Sequence, residues 1–195
     1  YTLSSDHALN CINHTGSFVW RRHIERTTKP VLSISNSGIL VVADSTGMLQ
    51  AVSSQGIYLW SLKLSEPVLY PPYCTADGRI CALTQSNLYC LSIKGKIKWK
   101  IDLSASPAGQ VCETGAASLL LTLTNHEFLT VSLTGELLST YSLKKEITAL
   151  AAAPGGYIMA TGDGTLTALL VAAEVARTGR PLADLAGVVQ RLPQT

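Results

Sequence analysis

Apolar and polar residues alternate over short stretches of this chain and seldom recur at helical spacing. Residues 39–43, 48–53 and 57–62 each follow a period near two, which predicts β-strands separated by polar corners. The corners read "DSTG" (44–47), "SQG" (54–56) and "ADG" (76–78). Asp and Ser offer such turns local side-chain hydrogen bonds, and Gly supplies a positive φ. A fourth run, residues 67–74, carries three prolines. Proline cannot donate to a central ladder, so this run predicts an outer edge strand.

The pattern recurs as a phrase: "LNCINHTGSFVW" ending at Trp20, "LQAVSSQGIYLW" ending at Trp60 and "LYCLSIKGKIKW" ending at Trp99. Its glycines, Gly16, Gly56, Gly95 and then Gly135, are 40, 39 and 40 residues apart. Four places beyond each stands Trp20, Trp60, Trp99 and finally Ser139, so all 3 tryptophans share one repeat position. Seven places before each Gly stands Leu9, Leu49, Leu88 and Phe128, with a fifth candidate at Leu166. These landmarks mark units of 1–38, 39–78, 79–116 and 117–156, with a partial fifth from 157. Four short strands in about forty residues is the size of one propeller blade.

The expected fold is therefore mainly β, a partial or small β-propeller of about four four-stranded blades over residues 1–164. Gly16, Gly56, Gly95 and Gly135 are expected to turn the chain between the second and third strands. Trp20, Trp60 and Trp99 are expected to pack as apolar plates against the neighbouring blade. Aromatic platforms for single-stranded nucleic acid would instead need exposed rings and a basic groove.

Composition narrows the function. Of 195 residues 47% are hydrophobic and 14% charged, which fits an ordered globular chain. The net charge is +2 with the basic residues dispersed, so no field of the kind that neutralises many phosphates is present. The one basic cluster, "KGKIKWK" (94–100), alternates lysine with other residues, as one solvated strand face does. No apolar run approaches the ~18 residues of a membrane span. The opening "YTLSSDHALN" lacks the features of a signal peptide, and the chain is expected to begin inside a structural unit.

Candidate chemistry is sparse. Cysteines stand at 11, 74, 81, 90 and 112, an odd number without Cys-x-x-Cys spacing, which argues against zinc or a thioredoxin-like pair. In the repeat alignment Cys11 and Cys90 replace Ala51, and Cys81 replaces Val41, as packing residues do. His7, His14, His23 and His126 fall in or near corners, with His7 and His126 at equivalent positions; a metal role would need convergence from different blades. Asp44, Asp77 and Asp163 open or precede Gly corners, and none has a neighbouring carboxylate for acid and base work. No catalytic, cofactor-binding or metal-binding residues are expected.

The phrase "LQAVSSQGIYLW", preceded by "VVADSTG", resembles the repeats of the pyrroloquinoline-quinone-like β-propellers, and the resemblance spans residues 1–166. That family implies a scaffold shared by quinoprotein dehydrogenases and non-enzymatic propellers, including bacterial envelope assembly scaffolds. It implies an envelope or periplasmic setting, with the cytoplasm as the alternative. The chain departs where the enzymes differ from the scaffolds. The family's repeat Asp is replaced by Asn13, Ser53, Ser92 and Ser132, no adjacent Cys–Cys pair exists, and no calcium site can be assembled for a quinone.

Beyond Gly164 the texture changes to "TLTALLVAAEVARTGRPLADLAGVVQRLPQT". Leu166, Leu169, Leu170 and Ala173, then Leu182, Leu185, Ala186 and Val189, follow helical spacing and predict a helical hairpin, 165–177 and 182–191. Residues 160–194 resemble a C-terminal segment of the bacterial phosphoglucosamine mutases. The phosphoserine loop, the Asp-Gly-Asp metal loop and the Gly-Glu-x-Ser-Gly sugar loop of that family are missing, so no mutase residue carries over. The two resemblances meet at "ATGDGTLTAL", where Asp163 and Gly164 serve both. This suggests a fusion, a designed join or a misassembled coding sequence; a natural propeller with a helical appendage is the alternative.

Four units leave sheet edges that the helices, a partner or missing blades must cover. The expected function is a non-catalytic scaffold or interaction module binding a protein or peptide partner at those edges or on the propeller face. The alternative is an enzyme-derived fragment, either a mutase remnant or a degenerate quinoprotein, without a complete active site. A third reading is a chain with no evolved function as a unit.

Overall fold

A computed structural model of the chain describes residues 1–24, 29–114, 117–142, 147–153 and 156–161. The predicted helical hairpin, Asp163, Gly164 and Leu166 lie outside the described residues. The chain divides into two compact units, Tyr1–Pro107 and Ala108–Thr195.

The first unit is built from three antiparallel sheets. The first holds β1 (Thr2–Leu3), β2 (Ala8–Ile12) and β3 (Phe18–His23) in sequence order. The second holds β4 (Val31–Ile34), β5 (Leu40–Ala43), β6 (Met48–Val52) and β7 (Tyr58–Lys63). The third holds β8 (Tyr73–Cys74), β9 (Ile80–Leu83), β10 (Asn87–Leu91) and β11 (Ile97–Asp102). The second unit contains a sheet of β12 (Cys112–Glu113), β13 (Ser118–Thr122), β14 (Glu127–Ser132) and β15 (Leu137–Ser142). It also contains the hairpin β16 (Ile147–Ala153) with β17 (Gly156–Thr161).

Two features differ from the sequence expectation of uniform four-stranded blades. The first described sheet has three strands, equivalent to β5–β7 and without a counterpart of β4. The proline-bearing run does end in an edge strand, but that strand, β8, pairs with β9 and not with β7. Each four-stranded sheet therefore opens with a strand contributed by the end of the preceding sequence unit. Periodicity marks where a strand lies, whereas the partner of an edge strand is decided by tertiary packing.

The inner strands lose the alternation expected of half-buried sheets because both of their faces are covered. Leu40, Val41, Val42 and Ala43 of β5 are all fully buried. Val41, Ala43 and Leu49 pack with Ile80, Ala82, Tyr89 and Leu91 of the third sheet. On the other face Leu40, Val42 and Val52 pack with Leu9 and Ile24 of the first. Burying each large aliphatic side chain contributes about 1.5–3 kcal/mol, so these double-sided strands hold the unit together.

One corner recurs between successive strands. Residue i accepts a backbone bond from i+3 and donates to the carbonyl of i+4, as at Asn13–Gly16–Ser17, Asp44–Gly47–Met48 and Ser92–Gly95–Lys96. This is a type I turn followed by a left-handed residue. The left-handed place is usually glycine, with φ of 79° at Gly56 and 77° at Gly95, but His7 (60°) and His126 (66°) occupy the place that Gly47 (90°) fills in the second sheet. The equivalence of the two histidines thus reflects turn geometry.

Candidate functional site

The predicted anchors occupy defined places. Gly16, Gly56, Gly95 and Gly135 all have positive φ. Gly16 lies between the second and third strands of its sheet, whereas Gly56, Gly95 and Gly135 lie between the third and fourth, one strand later than expected because each of those sheets opens with a strand from the preceding sequence unit. Trp20, Trp60 and Trp99 sit on β3, β7 and β11, opposite Cys11, Ala51 and Cys90, and each ring is half-buried. Ser139 takes the corresponding place on β15, opposite Thr130.

Within the first unit, Trp20 and Trp60 each reach the corner of the next sheet. Trp20 Nε1 donates to the Ser54 carbonyl at 2.9 Å, and Trp60 Nε1 donates to the Ile93 carbonyl at 2.8 Å. A Cβ on Gly56 would lie 2.9 Å from Trp20 Cδ2, and one on Gly95 would lie 2.5 Å from Trp60 Cδ2. Arg22 Nε adds a 2.8 Å bond to the Gly56 carbonyl. These rings sit at inter-sheet contacts and are not the open platforms that single-stranded nucleic acid needs.

A register irregularity precedes each of these positions, between Cys11 and Ile12, Ala51 and Val52, Cys90 and Leu91, and Thr130 and Val131. The opposing strand carries one extra residue there: Val19, Leu59, Lys98 or Leu138. A bulge of this kind re-aims the side chains of the strand that carries it. The residue two places beyond each corner Gly is consequently an exposed apolar side chain. Phe18 is 65% exposed, Tyr58 42%, Ile97 48% and Leu137 54%. They share β3, β7, β11 and β15, each an edge of its own sheet. Lys94, Lys96, Lys98 and Lys100 are exposed around Ile97.

The residues assigned to turns from sequence do make turns. Asp44 is buried and its Oδ1 accepts from Thr46 N (2.9 Å), Thr46 Oγ1 (2.7 Å) and Met48 N (2.9 Å). Asp77 accepts from Thr75 Oγ1 at 2.6 Å and pairs with Arg79 Nε at 3.2 Å. Where the family repeat carries Asp, Asn13 Oδ1 accepts from Ser17 N, and Ser53, Ser92 and Ser132 hydroxyls accept from Ile57, Lys96 and Glu136 N. The repeat thus keeps an acceptor at this place while dispensing with a carboxylate.

Sequence reasoning passed over Glu66. It lies beyond β7, and Ser86 Oγ (2.6 Å), Ser86 N (3.0 Å) and Asn87 Nδ2 (3.1 Å) of the β9–β10 hairpin all donate to its carboxylate. The Ser86 hydroxyl leads the donors that pull its pKa down to about 2. A carboxylate held so far below neutrality is an anionic latch between sheets and no proton donor near pH 7. Burial pushes the Cys74 and Cys112 thiols up to about 11, which keeps them protonated and unreactive. Among the described residues no group of His, Cys, Asp and Glu is placed to hold a metal ion. No described helix is long and apolar enough to cross a membrane.

The sheets, their recurrent corners and the tryptophan contacts define a β-propeller repeat protein. Residues 5–125, more than half of the chain, match the family model for the outer membrane protein assembly factor BamB, and the chain belongs to that family of quinoprotein-like repeats. The solved structure of BamB from Moraxella catarrhalis is similar with a TM-score of 0.63 at 18% identity, covering 75% of this chain and 47% of that one. A second likeness is of another kind. Phosphoglucosamine mutase from Streptomyces griseus is 55% identical over 58 residues, 27% of this chain and 13% of the mutase. The enzyme from Streptomyces avermitilis is 74% identical over 34 residues, 17% of this chain and 8% of the mutase. The chain thus spans under half of the BamB structure and a small fraction of the mutases. The two likenesses are consistent with a chimera of propeller and mutase sequence.

Proposed function

We propose that the chain is a non-catalytic propeller scaffold that binds a protein or peptide partner along its outer strands, with residues 1–164 as the repeat region and 165–195 as a helical tail. Gly16, Gly56, Gly95 and Gly135, with Trp20, Trp60 and Trp99, serve it as structural anchors. The observation that carries this reading is the recurrence of an exposed apolar side chain, Phe18, Tyr58 and Ile97, at one repeat position on three edge strands. Isolated exposed apolar residues are ordinary, but the same place kept apolar from repeat to repeat is the pattern of a contact surface. The family description, an assembly factor, supports a scaffold role over turnover.

The test is to compare the wild-type chain with the triple variant Phe18→Lys, Tyr58→Lys and Ile97→Lys by light scattering across a concentration series, and by binding to immobilised extended peptides. Wild type is expected to associate through these strands and the variant to remain monomeric with an unchanged circular dichroism spectrum. Equal behaviour of both proteins would overturn the reading. So would magnesium-dependent turnover of a phosphorylated hexosamine, the activity named for the mutases.

A further inference from the structure

Five cysteines lie in this chain, and the register brings two of them face to face. Cys81 of β9 and Cys90 of β10 are direct partners across the antiparallel pair. The hairpin joining them is closed by Thr84 N donating to the Asn87 carbonyl at 2.9 Å. Thr84 and Asn87 are therefore a hydrogen-bonded pair. Counting back along the ladder, Leu83 with Leu88 is non-hydrogen-bonded, Ala82 with Tyr89 hydrogen-bonded, and Cys81 with Cys90 non-hydrogen-bonded. At such a site the Cα atoms lie about 4.5 Å apart and the side chains approach most closely. That spacing is inside the range of about 4.4–6.8 Å that a disulfide spans.

The pairing is selective. Cys11 has Trp20 as its partner, Cys74 has Ile80, and Cys112 has Leu120. The same ladder site holds Val41 with Ala51 in the second sheet and Leu120 with Thr130 in the fourth. Among the described sheets, two sulfurs meet only in the third. Cys81 is 2% exposed and Cys90 fully buried, on the sheet face opposite Ile80, Ala82, Tyr89 and Leu91. The Cys81 side chain hydrogen-bonds Cys90 and pulls its pKa down, against the effect of burial. Thiolate character is thus favoured on the sulfur that would attack first.

We propose that Cys81 and Cys90 are a redox modification site that closes to a cross-strand disulfide under oxidising conditions. The oxidant is a small-molecule disulfide such as oxidised glutathione. The Cys90 thiolate attacks one glutathione sulfur, forming a mixed disulfide and releasing one glutathione thiolate. The deprotonated Cys81 sulfur then attacks Cys90 Sγ, forming the intramolecular bond and expelling the second glutathione. Two protein thiols lose two protons and two electrons, and one glutathione disulfide becomes two thiols. Burial makes the first attack wait on opening of the β9–β10 hairpin, so the rate follows local unfolding. An oxidising compartment populates the bridge and a reducing one leaves the thiols.

The experiment incubates the folded chain with oxidised or reduced glutathione, unfolds it in the presence of iodoacetamide and maps the peptides by mass. The expected result is a loss of two alkylated thiols, a mass lower by about 2 Da before alkylation, and one linked peptide joining Cys81 to Cys90. The urea midpoint of the oxidised protein is expected to exceed that of the reduced one. Cys81→Val and Cys90→Ala, which install the partners found in the second sheet, should each abolish both effects. Full alkylation of every cysteine after oxidation, or a bridge between any other pair, would overturn the proposal. The wild-type peptide map decides the matter even if a variant folds poorly.

Discussion

Trp60 of the second sheet and Gly95 of the third form one contact: the indole Nε1 bonds the Ile93 carbonyl at 2.8 Å, and its ring junction fills the space where a Cβ on Gly95 would stand. The same arrangement joins Trp20 to Gly56. Two residues four apart within a repeat are thus partners between repeats, each tryptophan using the glycine of the sheet that follows.

This contact makes glycine at 95 necessary twice over. Left-handed backbone costs an L-residue about 1–2 kcal/mol. A methyl forced against the indole adds about 1–3 kcal/mol. Gly95→Ala should therefore destabilise the protein by about 2–5 kcal/mol in urea unfolding. Gly78→Ala, at φ 84° with nothing within 4 Å of the added carbon, should cost only the backbone term. In a Trp60→Ala background the cost of Gly95→Ala should fall to that of Gly78→Ala. Equal costs in both backgrounds would show that the indole does not discriminate against the methyl.

The Asp44 corner depends on one oxygen. Its Oδ1 serves two backbone N–H groups and the Thr46 hydroxyl at a buried site. Asp44→Ala removes the acceptor of these part-buried bonds and should cost about 1–3 kcal/mol. Asp44→Asn keeps an acceptor of the same reach, as Asn13 shows in the first sheet, and should cost less than half as much in the same urea titration.

His126 offers a gain. Its left-handed φ of 66° stands where the second sheet uses Gly47, and its side chain is exposed. Glycine there removes about 1–2 kcal/mol of backbone strain and returns about 0.4–1 kcal/mol through the freer unfolded chain. His126→Gly should raise stability by about 0.5–1 kcal/mol, read as a higher thermal midpoint.

Much of this architecture is written in local chemistry. Gly16, Gly56, Gly95 and Gly135 stand out because a left-handed corner tolerates few alternatives, and the tryptophans because one bulky ring fills each contact. The phase of the sheets is hidden, since the segment preceding Tyr73 has prolines and no alternation to declare whether β7 or β9 is its partner. Glu66 is hidden for another reason: a lone acid in a loop has meaning only once the Ser86 corner is brought to it. The Cys81–Cys90 pairing was within reach, because the two residues are equidistant from the corner at Gln85 and Ser86 and antiparallel pairing must oppose them.

The Glu66 latch has a pH signature whose sign follows from its hydrogen bonds. The folded carboxyl titrates near 2 against an ordinary value of 4.5, chiefly because the Ser86 hydroxyl donates to it. A carboxyl with a depressed folded pKa releases its proton more readily in the native state. Its stabilisation is therefore complete above about 4.5 and is lost as pH falls from there towards 2. Asp6 is lowered as well, first by the Ser4 hydroxyl, so acid sensitivity of the whole chain is not diagnostic. The difference between wild type and Glu66→Gln isolates the latch. Urea midpoints measured at intervals from pH 7 to pH 2 should lie higher for wild type at neutrality and converge on the variant across that window. A constant separation at every pH would show that the carboxylate charge does not hold the β9–β10 hairpin to the end of β7.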